Sequence, residues 1–229
     1  MCEVYEAAPR LHAQGVHVVS TDEKTGIQAL ERAAPTKPAQ PGVAGQAGRC
    51  ARHEYEYIRH GTQCLIANHE VATGKQLAPT IGDTRTEVDF VNHIAQTVAT
   101  DKTGSWIFVT DQLNTHQSAG LVEWVARHIG DTQDLGEKEK RGILHTMATR
   151  AAYLREPSHR IRFVYTPIHC SWLNQIELWF SILVRRLLKR GSFTSKEELR
   201  ERILAFIEYF NATLAKPFKW TYKGRPLQV

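Results

Sequence analysis

The pattern of apolar and polar positions along the chain predicts strands and helices in a mixed order. Five apolar runs are typical of strands, at 16–21, 63–67, 75–79, 106–110 and 161–165. Helical spacing of apolar residues predicts helices at about 4–14, 86–99, 117–129, 171–190 and 195–213. Because two early hairpin strands are followed by alternating strands and helices, we expect an α/β fold, with a mixed sheet flanked by helices.

Two segments interrupt this pattern. Residues 33–48 are rich in Pro, Gly and Ala, which predicts an irregular loop. Residues 131–160 are first polar and charged and then helix-like from about 143 to 154, which is typical of an insertion between two core elements.

Three acidic residues lie at or just past the ends of predicted elements, or on an apolar face. Asp22 and Asp111 follow apolar strands, and Glu177 lies inside an apolar helix. Carboxylates in such places are costly to bury unless they bind a cation or a partner. Ligands also bind at the carboxyl ends of parallel strands. If the three side chains converge, they form a site for a hard cation such as Mg²⁺.

The charge of the chain is concentrated near its C-terminus. The net charge is +5, but residues 1–159 carry 16 basic and 19 acidic residues, whereas residues 160–229 carry 13 basic and 5 acidic residues. Arg185, Arg186, Lys189 and Arg190 form a basic cluster on the predicted helix after Glu177. Binding of DNA phosphates and a solvated helix face both fit this pattern, and the nearby acidic residues favour DNA.

Other compositional signals exclude several classes of protein. The four cysteines have no spacing typical of a zinc site, and reduced thiols are expected. No apolar run is long enough to span a bilayer, and the N-terminus does not resemble a secretory signal. We therefore expect a cytoplasmic protein without membrane association.

Three sequence motifs resemble those of a known family. Residues 19–26, 108–116 and 165–180 are similar to the three catalytic motifs of DDE transposases from bacterial insertion sequences of the mariner superfamily. The run from Trp172 to Glu177 is the most specific match, and the similarity extends from about residue 16 to the end. The resemblance implies a ribonuclease H-like fold, with a five-stranded mixed sheet in the order 3-2-1-4-5.

The spacing of the motifs departs from the family pattern in one place. Sixty-five residues separate Asp111 from Glu177, and 35 of them remain when the suspected insertion at 131–160 is set aside. That remainder is close to the spacing typical of the family. The long separation is therefore interpreted as one inserted segment.

The resemblance implies that Asp22, Asp111 and Glu177 are catalytic and bind two Mg²⁺ ions, with Mn²⁺ as a possible substitute. These ions would support hydrolysis of a phosphodiester at a transposon end and strand transfer to target DNA. Two alternatives stay open: a truncated, non-transposing remnant or accessory DNA-binding chain, and a ribonuclease H-like or junction nuclease. The run from Trp172 to Glu177 favours a transposase over the nucleases.

The resemblance also implies a domain organisation. Residues 1–15 are expected to be the remnant of a linker after a missing N-terminal helix-turn-helix region. Residues 16–215 would form the catalytic domain, and 216–229 a C-terminal tail. The expected partners are DNA and either further copies of the chain or a partner chain with the helix-turn-helix. The expected location is the bacterial cytoplasm, in association with the nucleoid when DNA is bound.

Further site residues are predicted with less specific signals. Asn114 and His116 follow Asp111, where they could contact a phosphate or position a water at the metal; helix capping by Asn114 or Thr115 is an equal alternative. Asn174 precedes Glu177 by three residues, so it is expected on the same helix face, orienting that carboxylate.

Overall fold

The fold is built around a five-stranded mixed sheet. The computed structural model describes residues 1–52 and 54–222. The strands are β1 (Val16–Arg32), β2 (Tyr57–Glu70), β3 (Gln76–Gly82), β4 (Ser105–Thr110) and β7 (Ile161–Tyr165), with a short β5 (Gly136–Glu137) and β6 (Arg141–Gly142) paired separately. The sheet order is β3-β2-β1-β4-β7. Strands β1, β4 and β7 are parallel, and β2 and β3 are antiparallel to their neighbours. This confirms the predicted ribonuclease H-like sheet.

Six α-helices accompany the sheet in the described part of the chain. They are α1 (Cys2–His12), α2 (Glu87–Val98), α3 (Ala119–Ile129), α4 (Met147–Leu154), α5 (Ile176–Arg186) and α6 (Lys196–Thr213). Thr86, Ser118 and Ser195 cap α2, α3 and α6, because each hydroxyl accepts a backbone N–H in the first turn. None of the helices in residues 1–52 and 54–222 is long and apolar enough to cross a membrane.

The helices cover both faces of the sheet. On one face, Val19, Phe108 and Phe163 from the strands pack against residues of α2, α3 and α4. On the other face, Leu65 and Ala67 of β2 pack against α5 and α6, and α1 packs against Val18 and the neighbouring strands. Because both faces are covered, the parallel strands are almost continuously apolar.

Strand β1 is longer than predicted. The apolar run predicts a strand over 16–21, but β1 continues to Arg32. Its parallel pairing with β4 ends at Ser20, opposite Val109, and β2 alone pairs with the rest of β1. The polar residues after position 21 remain in the strand because their backbone groups form hydrogen bonds with β2, and these bonds do not depend on the type of side chain. Asp22 is therefore inside a strand, two residues after the end of its parallel pairing, and not past a strand end.

The Pro- and Gly-rich segment is not fully irregular. The segment that connects β1 to β2 contains three isolated antiparallel bridges, which join Lys37 to Arg52, Gln40 to Arg49 and Val43 to Gln46. The segment thus folds back on itself as an exposed, open hairpin. The prediction of a purely irregular loop over 33–48 is wrong, because successive short pairings fit between the Pro and Gly residues.

Residues 131–160, predicted to be an insertion, contain the β5–β6 hairpin and α4. Within this segment Arg150 is buried, and its guanidinium donates hydrogen bonds to the carbonyl oxygens of Gln117 (2.7 Å) and Leu144 (2.8 Å). Gln117 belongs to the turn that follows Asp111. This segment is therefore joined to the turn between β4 and α3 by a buried cation.

The single helix predicted over 171–190 is divided into three parts. A 3-10 turn (Ser171–Leu173) precedes α5, and another (Leu188–Arg190) follows it. Asn174 has an extended backbone, with φ −79° and ψ 112°. Its side chain binds β1, as described below, and this tertiary contact interrupts the helical pattern.

The C-terminal segment packs on the turn between β2 and β3. Gly74 has a φ of +76°, and a Cβ atom there would lie 2.1 Å from the carbonyl oxygen of Lys216. Phe218 stacks on His69, with 4.5 Å between ring centroids. The tail predicted over 216–229 thus contacts the sheet as far as it is described, and residues 223–229 lie outside the described residues.

A fully buried histidine should make the fold sensitive to acid. Burial, together with the charge on His116, lowers the pKa of His93 to about 3. Below the ordinary pKa of about 6.5 the unfolded chain takes up a proton that the folded chain does not, so stability falls as the pH falls. We expect His93→Leu to make the free energy of unfolding less dependent on pH between 6.5 and 4, by up to about 1.4 kcal/mol per pH unit.

Urea unfolding at several pH values measures this slope. His145→Leu is the matched control, because His145 is exposed. An unchanged slope in His93→Leu would contradict the prediction.

Candidate active site

Asp22 lies at the centre of the candidate site and is largely buried. Its residue exposure is 8%, and its carboxylate accepts hydrogen bonds from the Glu23 backbone N–H (2.8 Å) and the Asn174 side-chain amide (3.2 Å). Burial, and then the negative charge of Asp111, raise the pKa of Asp22 to about 7. Asp22 and Asp111 therefore lie close enough to repel each other, and a cation between them would relieve this repulsion.

Asn174 joins the loop before α5 to β1. Its amide N–H groups donate to the carbonyl oxygen of Thr21 (2.9 Å) and to Asp22, and its oxygen accepts a hydrogen bond from the Ser20 hydroxyl. Asn174 is fully buried and precedes α5. The prediction that it lies on the helix face of Glu177 and orients that residue is wrong, because its side chain instead holds Asp22.

Asp111 directly follows β4, as predicted. Its carboxylate accepts the backbone N–H of Leu113 (2.9 Å) and lies 2.8 Å from Nδ1 of His116. Burial alone would raise the pKa of Asp111, but the hydrogen bond and charge of His116, with the Leu113 N–H, lower it. Asp111 is thus held as a carboxylate in a fixed orientation.

His116 bridges two carboxylates inside the protein. Its Nδ1 faces Asp111, its Nε2 lies 3.0 Å from Glu23, and its side chain has no exposed surface. Burial alone would lower the pKa of His116, but hydrogen bonds and charges from Asp111 and Glu23 raise it to about 10. The structure therefore gives His116 a contact that positions Asp111, and no surface for a direct contact with a phosphate.

Glu23 adjoins Asp22 on β1, so the alternation of side chains along the strand should turn it to the other face of the sheet, away from Asp22. It does so, and its side chain is only 2% exposed. That orientation brings it to His116, which contacts Asp111 in turn. The alternation of side chains along a strand predicts the orientation of Glu23, but it does not predict that His116 lies beside it.

Asn114 is exposed and begins the 3-10 turn Asn114–Gln117. The capping alternative is wrong for both residues named in it, because Ser118 caps α3 and the 3-10 turn has no side-chain cap. Exposure next to Asp111 leaves Asn114 accessible to a ligand, and its contact with phosphate stays a prediction.

Glu177 is the second residue of α5 and is exposed. Its backbone N–H donates to the carbonyl oxygen of Asn174 (3.1 Å), the residue that also binds Asp22. It lines an open groove together with Lys24 and Arg185. Lys24 lies two residues after Asp22 on β1, so this groove runs along the strand face that carries Asp22.

The donor atoms of the three acids are all carboxylate oxygens, the ligands preferred by hard divalent ions. Among the described residues, the three do not form a group with ligand atoms all within 4.8 Å of one another. The negative charge of Asp111 acts on Asp22, whereas Glu177 is linked to Asp22 only through Asn174, whose carbonyl oxygen accepts the Glu177 backbone N–H and whose side-chain amide binds Asp22. The three carboxylates come from separate elements: β1, the turn after β4 and the start of α5.

The predicted basic cluster is accessible to solvent. Arg185, Arg186, Lys189 and Arg190 are all exposed. Within the part of the chain that is described, none of them forms an ion pair with an acidic side chain. The prediction that all four lie on one helix is wrong, since α5 ends at Arg186 and the last two lie in the following 3-10 turn.

Comparisons with known proteins assign the chain to a family. Residues 18–200 match the model of the DDE superfamily endonuclease family, so the chain belongs to that family. The prediction of a DDE endonuclease domain is confirmed, and family membership implies use of a divalent metal ion.

A solved structure of Mos1 transposase, in a paired-end complex with the left transposon end, is also similar, with 12% identity and a TM-score of 0.32. The match covers 92% of this chain and 58% of the Mos1 transposase chain. The present chain therefore spans little more than half of the length of the Mos1 chain. No curated protein sequence is significantly similar to the chain.

The contact between His116 and the two carboxylates can be tested by a double-mutant cycle. His116→Gln leaves Glu23 buried without a cation, which should cost about 3–5 kcal/mol of unfolding free energy. Glu23→Gln in the same chain should recover much of that loss, because the uncompensated charge is removed.

Urea unfolding of the two single variants and the double variant measures the coupling. His60→Gln is the control, since His60 forms a similar pair with Glu31 (2.7 Å) in which both side chains are about one-third exposed; it should cost less than about 1 kcal/mol. Additive effects of the His116 and Glu23 substitutions would contradict the coupling.

Proposed function

We propose that the chain is the catalytic domain of a DNA transposase. It would hydrolyse a phosphodiester at a transposon end and then join the new 3′-hydroxyl to target DNA. The proposal rests chiefly on the placement of Asp22 beside Asp111: burial, and then the negative charge of Asp111, raise the pKa of Asp22 to about 7. Such a pair is costly in a structural role and useful for binding cations.

The carboxylates of Asp22, Asp111 and Glu177 would hold two Mg²⁺ ions, or Mn²⁺ in their place. When bound, such ions activate the attacking oxygen and stabilise the leaving oxygen in an in-line displacement. Asp22 is the group that most needs a cation, because it is the most buried of the three.

The chain's own residues would fix the geometry of this reaction. Asn174 binds Asp22 from the start of α5, and His116 binds Asp111 from the turn before α3. Both contacts are made by buried side chains, so the carboxylates are held in place before substrate arrives. The protonated His116 also offsets part of the negative charge that a phosphate would meet.

The groove beside Glu177 and the basic cluster would bind the DNA backbone. Lys24 and Arg185 line that groove, and Arg186, Lys189 and Arg190 continue the positive surface beyond it. Such contacts give an affinity that depends on salt and not on base sequence. Selection of transposon ends would then depend on another segment or chain, such as a helix-turn-helix region, or on further copies of this chain.

Two other functions remain as outcomes of the tests below. A non-transposing remnant or accessory chain would bind DNA without cleaving it, and a ribonuclease H-like or junction nuclease would prefer hybrid or branched substrates. Action on DNA favours a location in the cytoplasm, with association with the nucleoid in a bacterium.

Asp111→Asn should abolish Mg²⁺-dependent strand cleavage because it removes a ligand charge while keeping the shape of the side chain. DNA binding should persist, since the basic cluster is untouched. Cleavage of a labelled duplex and a filter-binding titration measure the two effects.

Asp134→Asn is the matched control for this variant. Asp134 is an exposed acid in the inserted segment, where it pairs with Arg141, so its loss should leave cleavage unchanged. Cleavage that survives in Asp111→Asn would contradict the proposed site, and wild-type protein that binds DNA without cleaving it would support the accessory function.

Reversing two charges on α5 should weaken the salt dependence of DNA binding. In the double variant Arg185→Glu/Arg186→Glu, the slope of log affinity against log salt concentration should become shallower by about 2, because each lost phosphate contact contributes about 1. Fluorescence anisotropy at several salt concentrations measures this slope.

The double variant Lys102→Glu/Arg127→Glu makes the same charge change away from the groove, at exposed positions before β4 and on α3. If both double variants change the slope equally, DNA does not bind along α5 in particular.

A further inference from the structure

Two histidines and a glutamate meet at the end of the sheet where β1 starts and β2 ends, away from the candidate active site. His12 is the last residue of α1, His17 is the second residue of β1, and Glu70 is the last residue of β2. One ligand atom from each lies within 4.8 Å of the other two, and within residues 1–52 and 54–222 this is the one such group of three. We propose that these residues form a binding site for a first-row transition metal ion, with Zn²⁺ as the best fit.

The distances suit a small ion. Oε1 of Glu70 lies 2.6 Å from Nδ1 of His17 and 3.5 Å from Nδ1 of His12. Zinc binds nitrogen and oxygen at about 2.0–2.2 Å in tetrahedral sites, so its ligand atoms lie about 3.4 Å apart. The contact between His12 and Glu70 already has this separation, and the contact between His17 and Glu70 needs to open by less than about 1 Å.

The group behind His17 is the kind that a metal-binding histidine requires. Nε2 of His17 lies 3.2 Å from the carboxylate of Asp101, so Nδ1 is left to face Glu70 and His12. A carboxylate on the far side of the ring is the usual support of a histidine ligand. Asp101 is itself fixed by the backbone N–H groups of Thr103 (3.0 Å) and Gly104 (2.9 Å).

Glu70 is held as firmly as His17. Its second oxygen accepts the Thr73 hydroxyl at 2.5 Å, and its side chain is only 5% exposed. The His17 ring stacks on Trp106, with 4.2 Å between centroids. His12 is the open side of the site, because its side chain is 40% exposed, and it offers a route by which the ion and a water ligand enter.

The donor set separates this site from the candidate active site. Two imidazoles and one carboxylate favour Zn²⁺ over Mg²⁺, which prefers oxygen ligands. His17 and Asp22 are five residues apart on β1, so roughly 16 Å of strand separates the two sites. The ion would link the end of α1 to the start of β1 and the end of β2, so its role would be structural.

Zinc binding to the full chain tests the proposal directly. We expect wild-type protein to bind one equivalent of Zn²⁺ in competition with a chromophoric chelator, and its thermal unfolding midpoint to rise by several degrees. Co²⁺ as a probe should give the visible absorption of a tetrahedral site, without a thiolate charge-transfer band.

Three variants locate the ion. Asp101→Asn should weaken Zn²⁺ binding about 10–100-fold, because it removes the carboxylate behind the His17 ligand. His12→Ala removes a ligand itself, so it should weaken Zn²⁺ binding at least about 100-fold. His12 is partly exposed, so His12→Ala should fold. Asp111→Asn should still bind one equivalent of Zn²⁺, since it alters only the candidate active site.

His60→Ala is the matched control, because it removes a histidine paired with a single carboxylate; its zinc affinity should equal that of the wild type. Three results would overturn the proposal: no bound equivalent in the wild type, equal affinity in His12→Ala, or loss of the equivalent in Asp111→Asn. A thiolate band with Co²⁺ would assign the ion to cysteine and would overturn it as well.

Discussion

The central constraint in this structure is the burial of two neighbouring carboxylates on opposite faces of one strand. Asp22 and Glu23 are adjacent on β1, so their side chains alternate across the sheet. Each needs its own compensation, because an unpaired buried charge is costly. Asn174 binds Asp22 from the side of the sheet that carries α5, and His116 binds Glu23 from the side that carries α3. The two helical layers are thereby tied to the same point of the sheet.

This arrangement also explains why the site lies where β1 changes partners. Up to Ser20, β1 has β4 on one side and β2 on the other; beyond it, β2 alone remains. The vacated side gives space for Asp111 and the turn after β4. The first part of β1 is therefore core, and the second part contributes Lys24 to the groove while its Ile27 and Ala29 remain buried against α5 and α6.

The sequence predicts the sheet and most helices because these depend on local periodicity and capping. Strand 161–165 and the helix capped by Thr86 agree with the structure closely. The failures occur where a tertiary contact overrides the local pattern. Asn174 leaves the helix to bind β1, and β1 continues through polar residues because β2 pairs with it. Proximity of residues distant in sequence, such as Glu23 and His116, has no local signal at all.

Arg150 gives residues 131–160, predicted to be an insertion, a structural role that their place between two motifs does not indicate. Its guanidinium holds the carbonyl of Gln117, in the same turn as His116, which holds Asp111. An extra segment that hung free could be excised and its ends rejoined without harm to the domain. Here excision would remove the Arg150 hydrogen bond from the carbonyl of Gln117, in the turn that carries His116, so the domain depends on this segment. Residues 131–160 thus support, through one buried guanidinium, the turn that carries His116.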